Sequence, residues 1–372
     1  MLNNAKIVFI NTVIITIAYA IMHRDALTWP AELASLFPYI AMKALAVSSI
    51  FFGAQQSELF RQTADKGSED IEHITSDAAK KSPIFASCML ISLFWALKYL
   101  SVGKINYILA VYFACIGTFA VNTVLLTITA CPPNVLTGTS ALVVAWYHFM
   151  FPHWITNNIL GFSFALATIK RTHLKETQTA VLFLSLLFLY DIYWVFGTGV
   201  MLDVALKIDG PIKLVVPRVM GSSQFQYAML GLGDIVVPGI FIALMHRMDK
   251  FSEREGRQTR FFTVALCGYI LGLLTTFAVM RVFHTAQPAL LYLVPAIFSS
   301  TGTYAYTTKR FMEWWNFVEQ EDEDEHDDDP DYDPATDKLD DSTDVEVSRW
   351  KSLLIGLNDL FNQSVTELFG SF

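Results

Sequence analysis

The sequence is short of charge. Only 16% of its 372 residues are Asp, Glu, Lys or Arg, whereas 53% are apolar or aromatic and the mean hydropathy is +0.41. A soluble globular protein carries about 25% charged residues, so too few polar side chains are present to cover a water-exposed surface. The composition excludes a soluble acidic protein and favours one embedded in a membrane.

Cysteine pairs and metal-binding motifs are also missing. The four cysteines are Cys88, Cys115, Cys131 and Cys267. They stand singly, without a C-x-x-C motif, and three of the four lie within apolar runs. We therefore expect buried free thiols, with neither a disulfide framework nor a zinc site. No H-E-x-x-H motif occurs, so metal-dependent hydrolysis is disfavoured. We expect no metal and no cofactor.

Acidic charge is concentrated in one stretch. Residues 319–344 hold 15 of the 35 acidic residues and one of the 26 basic ones, which gives this stretch a charge of −14 within a chain whose net charge is −9. The rest of the chain is therefore mildly basic, at +5. A block of like charge repels itself and buries nothing, so we expect a disordered, solvated segment rather than a specific binding site.

Long apolar runs are plentiful. A helix needs about 20 mostly apolar residues to cross a bilayer, and nine runs come near that length: 36–53, 83–101, 105–130, 136–151, 154–170, 177–201, 227–246, 262–283 and 288–306. An open sheet cannot span lipid, because its edge groups would find no hydrogen-bond partner. The sequence predicts an all-α, polytopic membrane protein with a nine-helix transmembrane bundle over residues 36–306.

Further segments flank this bundle. Residues 1–35 include an apolar stretch at 7–22, which fits either a signal peptide or an additional transmembrane helix. Residues 307–372 form a polar tail that contains the acidic block and, at 345–372, apolar residues at helical spacing. We expect an amphipathic C-terminal helix there, which could lie on a membrane or bind a partner.

Basic residues predict the orientation of the bundle. If the first span ends in the cytosol, the cytosolic loops and tail hold fourteen Lys and Arg residues, and the opposite loops hold six. Because positive charge favours the cytosolic side, we expect the tail in the cytosol. The span at 177–201 then runs outward and the span at 227–246 runs inward.

Two carboxylates lie where carboxylates are costly. Asp191 and Asp234 each fall within an apolar run, on consecutive and therefore adjacent spans. A charged Asp at the bilayer centre costs at least about 2.5 kcal/mol, so such a residue indicates function. If the two side chains meet, they should share one proton, one acting as general base and the other as general acid. The same pair could instead relay protons or cations in a transporter, or form a structural hydrogen bond.

Three motifs follow one another in order on the sixth, seventh and ninth spans: Tyr190-Asp191, Gly231-Leu232-Gly233-Asp234 and Pro288-Ala289-Leu290. They resemble the YD, GxGD and PAL motifs of the presenilin and signal peptide peptidase clan of intramembrane aspartyl proteases. Stretches at 153–158, 188–198, 211–215, 228–234 and 287–295 resemble the signal peptide peptidase family more closely. The resemblance extends over about residues 36–306.

The resemblance implies a presenilin-like protease domain with Asp191 and Asp234 as its catalytic dyad. It implies that neighbouring motif residues support the active site: Tyr190, Gly231, Gly233, Pro288, Ala289 and Leu290. It also implies that a β-prone run binds the unwound substrate by strand addition, through Ile212, Lys213, Leu214, Val215 and Val216. The chain departs from the family at Gly199, where Asn is expected, and it lacks a dilysine-type retrieval signal.

The predicted orientation and the resemblance together specify the substrates and partners. The topology is that of signal peptide peptidases, which implies cleavage of leftover signal peptides and type II membrane segments. We expect transmembrane peptides and membrane lipid as partners, leave a homo-oligomer open, and expect no nucleic acid. The resemblance places the protein in the endoplasmic reticulum membrane. A transporter with an Asp relay and a catalytically idle binder of membrane helices remain the alternatives.

Overall fold

The computed structural model describes residues 31–64, 72–129, 135–151, 153–217, 227–283 and 287–319. The elements in chain order are α1 (Ala31–Ala64), β1 (Glu72–Ile74), α2 (Ser76–Tyr99), α3 (Val102–Thr129), α4 (Val135–Met150), α5 (Trp154–Arg171), β2 (Thr172–Leu174), α6 (Thr177–Phe196), α7 (Val200–Lys207), β3 (Lys213–Pro217), β4 (Tyr227–Gly231), α8 (Gly233–Arg254), α9 (Phe261–Phe283), α10 (Leu290–Thr307) and α11 (Phe311–Trp315). The apolar stretch at 7–22, nearly all of the acidic block and the predicted helix at 345–372 lie outside the described residues.

Helices dominate the structure, and each of the nine predicted spans overlaps one of them. Four helices are long and apolar enough to cross a membrane by length and composition alone: α2, α3 over Val102–Leu126, α6 and α9. The prediction of a mostly helical, polytopic membrane protein is confirmed. The sixth run is shorter than predicted, because α6 ends at Phe196 and a separate helix, α7, follows after Gly197 and Gly199.

The outer surface of the helices is apolar. On α2, Ile84, Phe85 and Met89 are 66%, 73% and 65% exposed, although exposure of such apolar side chains to water is unfavourable. Such a face suits lipid, and it explains a wrong prediction about the thiols. Of the four cysteines, the three that the structure describes are free, but they are exposed on the bundle surface rather than buried. An apolar run in a membrane protein does not require burial within the protein.

The core is centred on α8, whose stretch from Ile240 to Met245 is almost fully buried. Helices α9 and α10 approach each other closely where α9 has glycine. A Cβ at Gly272 would lie 2.9 Å from the Cα of Leu293, and one at Gly268 would lie 2.9 Å from the carbonyl oxygen of Ala296. This close contact fixes α10 against the core and positions its first turn.

Two strands precede α8. β3 and β4 form an antiparallel pair in which Val215 lies opposite Met229. The seventh predicted span therefore begins as a strand and becomes helical only at Gly233. Glycine is a poor helix former, so the two glycines of the GxGD motif disfavour continuation of the helix into β4.

Helix α5 caps the other edge of β3. Asn158 accepts a hydrogen bond from the Val215 amide at 2.8 Å and donates one to the Val215 carbonyl at 2.8 Å. Asn157 donates to the Lys213 carbonyl, also at 2.8 Å. Two buried amide side chains thus take the place of a third strand and hold the β3–β4 pair against the bundle.

The chain stays packed on the bundle beyond the predicted boundary at residue 306. Trp314 and Phe317 are buried, and Glu319 forms an ion pair with Arg247 at 2.9 Å. The expectation that the acidic block is solvated from its first residue is therefore wrong at Glu319. The reason is that a buried arginine requires a counter-charge, which composition alone does not reveal.

Candidate active site

Asp191 lies on the inner face of α6 and is only 5% exposed. Its Oδ2 accepts a hydrogen bond from the backbone amide of Leu290 at 3.1 Å. Leu290 is the first residue of α10, and the first amides of a helix lack partners within the helix. The carboxylate of the YD motif therefore caps α10, the helix that begins at the last residue of the PAL motif. Two motifs 99 residues apart in sequence meet in one hydrogen bond.

Asp234 lies in the first turn of α8, directly after the β3–β4 pair. A carboxylate is favourable there, because the amino end of a helix carries partial positive charge. The space around it is tight on one side, since a Cβ at Gly231 would lie 3.3 Å from Asp234 Oδ2. A Cβ at Gly233 would meet nothing within 4 Å. Glycine at position 231 thus leaves room for the carboxylate, whereas a side chain at position 233 would not crowd it.

The two carboxylates lie within electrostatic range of each other. Helices α6 and α8 pack against each other and bring Asp191 and Asp234 within that range. Two acids so placed in an apolar interior cannot both ionise without large repulsion, so they favour a state with one shared proton. The arrangement can supply a general base and a general acid at the same time.

Tyr269 was not predicted from the sequence. Its hydroxyl donates to the backbone carbonyl of Asp234 at 3.2 Å, and the whole residue is buried. It fixes the backbone that carries the second carboxylate. A single tyrosine in the apolar run of α9 gave no signal, because its partner is 35 residues away.

The remaining predicted support residues have simpler surroundings. Tyr190 is half-buried, lies within electrostatic reach of Asp191 and packs against Trp194 with ring centroids 6.3 Å apart. Ala289 is the residue that precedes α10, and Pro288 stands just before it, where a missing amide costs nothing. These residues shape the turn that presents the Leu290 amide.

The predicted substrate strand is formed, but its outward edge is occupied. β3 covers most of residues 212–216, and its carbonyl and amide groups that point away from β4 are bound by α5. The amide and carbonyl of Val215 point toward α5, so Val215 and Met229 form a pair that is not hydrogen-bonded. The amide and carbonyl of Met229 therefore point outward, away from β3. Among the described residues, no backbone hydrogen bond is formed with these groups of Met229.

A cavity of about 440 Å³ lies against one face of this strand pair. It is lined by side chains of β3, β4, α3, α4 and α5, including Lys213, Val215 and Met229. Its walls are mainly apolar and aromatic, with polar side chains that include His148 and Asn157. Such a space next to an open strand can receive a side chain of a bound peptide.

Comparison with known proteins gives a consistent result. A family described as Signal peptide peptidase matches residues 66–140 and 132–321. The chain is 36% identical over 348 residues to the signal peptide peptidase of Mus musculus, which covers 84% of this chain and 89% of that protein. It is 36% identical over 323 residues to the human protein, covering 77% and 84% respectively. A probable intramembrane protease of Schizosaccharomyces pombe is 33% identical over 267 residues, covering 69% and 86%.

Proposed function

This chain belongs to the signal peptide peptidase family, and we propose that it cleaves transmembrane peptides with Asp191 and Asp234 as an aspartic dyad. It is an integral membrane protein and an intramembrane protease that acts on transmembrane peptide substrates. The catalytic type and the residues that perform the reaction are the proposal.

One observation carries the proposal above all. Asp191 is buried and held by the amide of Leu290, and it lies within electrostatic range of the partly buried Asp234, so the YD, GxGD and PAL motifs converge on one pair of carboxylates. A transporter relay would need a path for ions on both sides of the pair. A dyad for hydrolysis needs only a fixed geometry, one shared proton and access for water and a peptide.

The chemistry follows from one ionised and one protonated carboxyl group. The ionised group takes a proton from water while the water oxygen bonds to the scissile carbonyl carbon. The protonated group gives its proton to the carbonyl oxygen, which yields a neutral tetrahedral intermediate. When the C–N bond breaks, the nitrogen leaves with a proton returned by the dyad. Neither a metal nor a covalent enzyme intermediate is required.

The substrate must unwind before water can attack, because a helix hides its peptide carbonyls in internal hydrogen bonds. The sequence prediction placed the receiving edge on residues 212–216; we place it on β4 instead, since the edge of β3 is occupied by Asn157 and Asn158. β4 leads directly through Gly231 to Asp234. A substrate segment added to β4 would therefore run past the second carboxylate.

The substrate class depends on orientation. The distribution of Lys and Arg favours a cytosolic tail, with α6 running outward and α8 inward. A dyad on helices of this polarity should accept segments whose amino terminus is cytosolic, namely leftover signal peptides and type II segments. We place the protein in the endoplasmic reticulum membrane, where such peptides arise.

The experiment uses the full chain in liposomes with a type II transmembrane peptide. We expect two products that separate within the hydrophobic segment by mass spectrometry, and inhibition by a hydroxyl-containing transition-state isostere of the peptide bond. Proton or cation flux without peptide products would support the transporter instead. Bound, intact peptide without flux would indicate an inactive binder of membrane helices.

A further inference from the structure

The segment after α11 returns to the start of α6. The amide of Thr177 donates to the Phe317 carbonyl at 3.1 Å, and the amide of Glu319 donates to the Lys175 carbonyl at 2.7 Å. Between these bonds, Glu176 and Val318 lie opposite each other as an antiparallel pair. Residues 316–319, here called the return segment, are thus fixed by backbone bonds to the helix that carries Asp191.

Glu319 joins the return segment to the helix that carries Asp234. Its Oε2 accepts a hydrogen bond from Arg247 Nε at 3.0 Å, while Oε1 forms ion pairs with the same Nε at 2.9 Å and with Arg61 Nε of α1 at 3.4 Å. Arg247 is only 2% exposed, and its remaining donors bind Ser57 at 2.7 Å and the Leu174 carbonyl at 3.2 Å. Glu319 is therefore the acidic partner of a buried cation on α8.

Secondary contacts reinforce the same junction. Phe317 packs on Phe251 of α8, with ring centroids 6.0 Å apart. Asn316 accepts a hydrogen bond from Gln178 of α6 at 3.2 Å. The return segment thus contacts both helices by packing and polar bonds, while the ion pair with Arg247 supplies its charged connection to α8.

The position of this junction on α6 and α8 allows it to affect the spacing of the two carboxylates. Thr177 and Asp191 are separated by about 20 Å along α6, and Asp234 and Arg247 by about 20 Å along α8, at 1.5 Å per residue. In each helix the carboxylate lies near one end and the contact with the return segment lies toward the other. A small change in the angle between the two helices changes the spacing of the carboxylates, and a displacement of about 1 Å can reduce turnover by about a hundredfold.

We propose that Glu319 is a positioning residue for the dyad, which fixes the angle between α6 and α8 by binding Arg247 while its backbone pairs with the start of α6. The proposal rests on the proposed function, because it assumes that Asp191 and Asp234 act together.

The test compares Glu319→Gln with Glu313→Gln in the full chain in liposomes. Glu313 belongs to the adjacent helix α11 and pairs at 3.2 Å with Arg257, which is 43% exposed, so it is a matched control outside the junction. Active sites are titrated with a tight-binding transition-state isostere, so that unfolded protein does not enter the turnover number. We expect kcat per titrated site to fall at least about tenfold in Glu319→Gln, with KM within about twofold, because β4 is unaffected. Glu313→Gln should match the wild type.

A cross-link separates the two connections of the return segment. Opposed residues of an antiparallel pair that is not hydrogen-bonded have Cα atoms about 4.5 Å apart, which suits a disulfide. Adding Glu176→Cys and Val318→Cys to Glu319→Gln ties the return segment to α6 but does not replace its ion pair with Arg247, so turnover should stay low after oxidation. Val318→Cys alone should not respond to oxidant.

Three results are distinguishable as failures. If the wild type cleaves the peptide and Glu319→Gln has the same kcat per titrated site, the positioning role is refuted while the protease function stands. If titrated turnover falls but the oxidised cross-link restores it, attachment of the return segment to α6, rather than the ion pair with Arg247, is what positions the dyad. If the wild type itself yields no products, the proposed function fails.

Discussion

At the residue scale, the site consists of two acids and the groups that hold them. Asp191 and Asp234 could be predicted from the sequence, because a carboxylate in an apolar run is costly enough to demand a function. Their contacts could not. The resemblance implied Leu290 as a support residue, but the bond from its amide to Asp191 depends on tertiary packing, and so does the bond from the Tyr269 hydroxyl to the Asp234 backbone carbonyl.

Gly231→Ala tests the room around Asp234. A Cβ would lie 3.3 Å from Asp234 Oδ2, closer than is usual, so the carboxylate must move by a few tenths of an ångström. We expect the cleavage rate to fall at least about tenfold while the thermal unfolding temperature in detergent is retained. Gly233→Ala introduces no contact within 4 Å and should cost less. Equal losses in the two variants would show that the crowding of the carboxylate is not the cause.

The pH profile of cleavage tests the shared proton. Because the dyad needs one ionised and one protonated carboxyl group, turnover should fall on both sides of an optimum. The acid limb reports protonation of the base, and the alkaline limb reports loss of the proton from the acid. Initial rates in liposomes buffered on both sides from pH 5 to 9 would measure it. A flat profile over that range would count against the mechanism.

At the scale of elements, sequence patterns located most helices and misread two junctions. The run at 227–246 was predicted to be one span, but its first five residues form β4, because residues 213–217 lie beside them and pair with them. The acidic block was predicted from its own composition, but Glu319 pairs with an arginine 72 residues earlier. Local hydropathy and charge cannot encode such distant partners.

Met229→Pro tests strand addition to β4. The Met229 amide points away from β3, so proline removes the donor offered to a substrate but leaves the pairing of Leu230 with Leu214 intact. We expect KM for a transmembrane peptide to rise severalfold, up to about tenfold, as expected for loss of one main-chain hydrogen bond worth about 0.5–1.5 kcal/mol.

The control for this variant is Met229→Ala, which keeps the donor and removes only the side chain. It should raise KM less than proline does. If both variants bind and cleave the peptide alike, the β4 edge does not receive the substrate.

At the scale of the whole molecule, charge is divided by position. The basic residues outside the acidic block lie mainly in loops on one side of the predicted bundle, while the block itself carries −14. The sequence was sufficient to predict this division and the family, because both depend on composition and ordered motifs. It was insufficient for the return segment, which depends on how distant helices meet.

The predicted orientation can be measured directly. An epitope fused to the C-terminus should be removed by protease added outside intact microsomes, because the distribution of Lys and Arg predicts a cytosolic tail. The sequon Asn362-Gln363-Ser364 should stay unglycosylated for the same reason. Protection of the epitope, or glycosylation of Asn362, would show that the orientation is opposite to the predicted one, and the expected substrate polarity would then be opposite as well.

The most direct test of the central claim is cleavage by variants of the dyad. Asp191→Asn and Asp234→Asn keep the shape of each side chain and remove its acid–base function, so each alone should abolish hydrolysis of a type II peptide in liposomes. Asp203→Asn, an exposed acid on α7 paired with Lys207, should cleave like the wild type. Hydrolysis that persists in either dyad variant at a rate near that of the wild type would contradict the two-carboxylate mechanism.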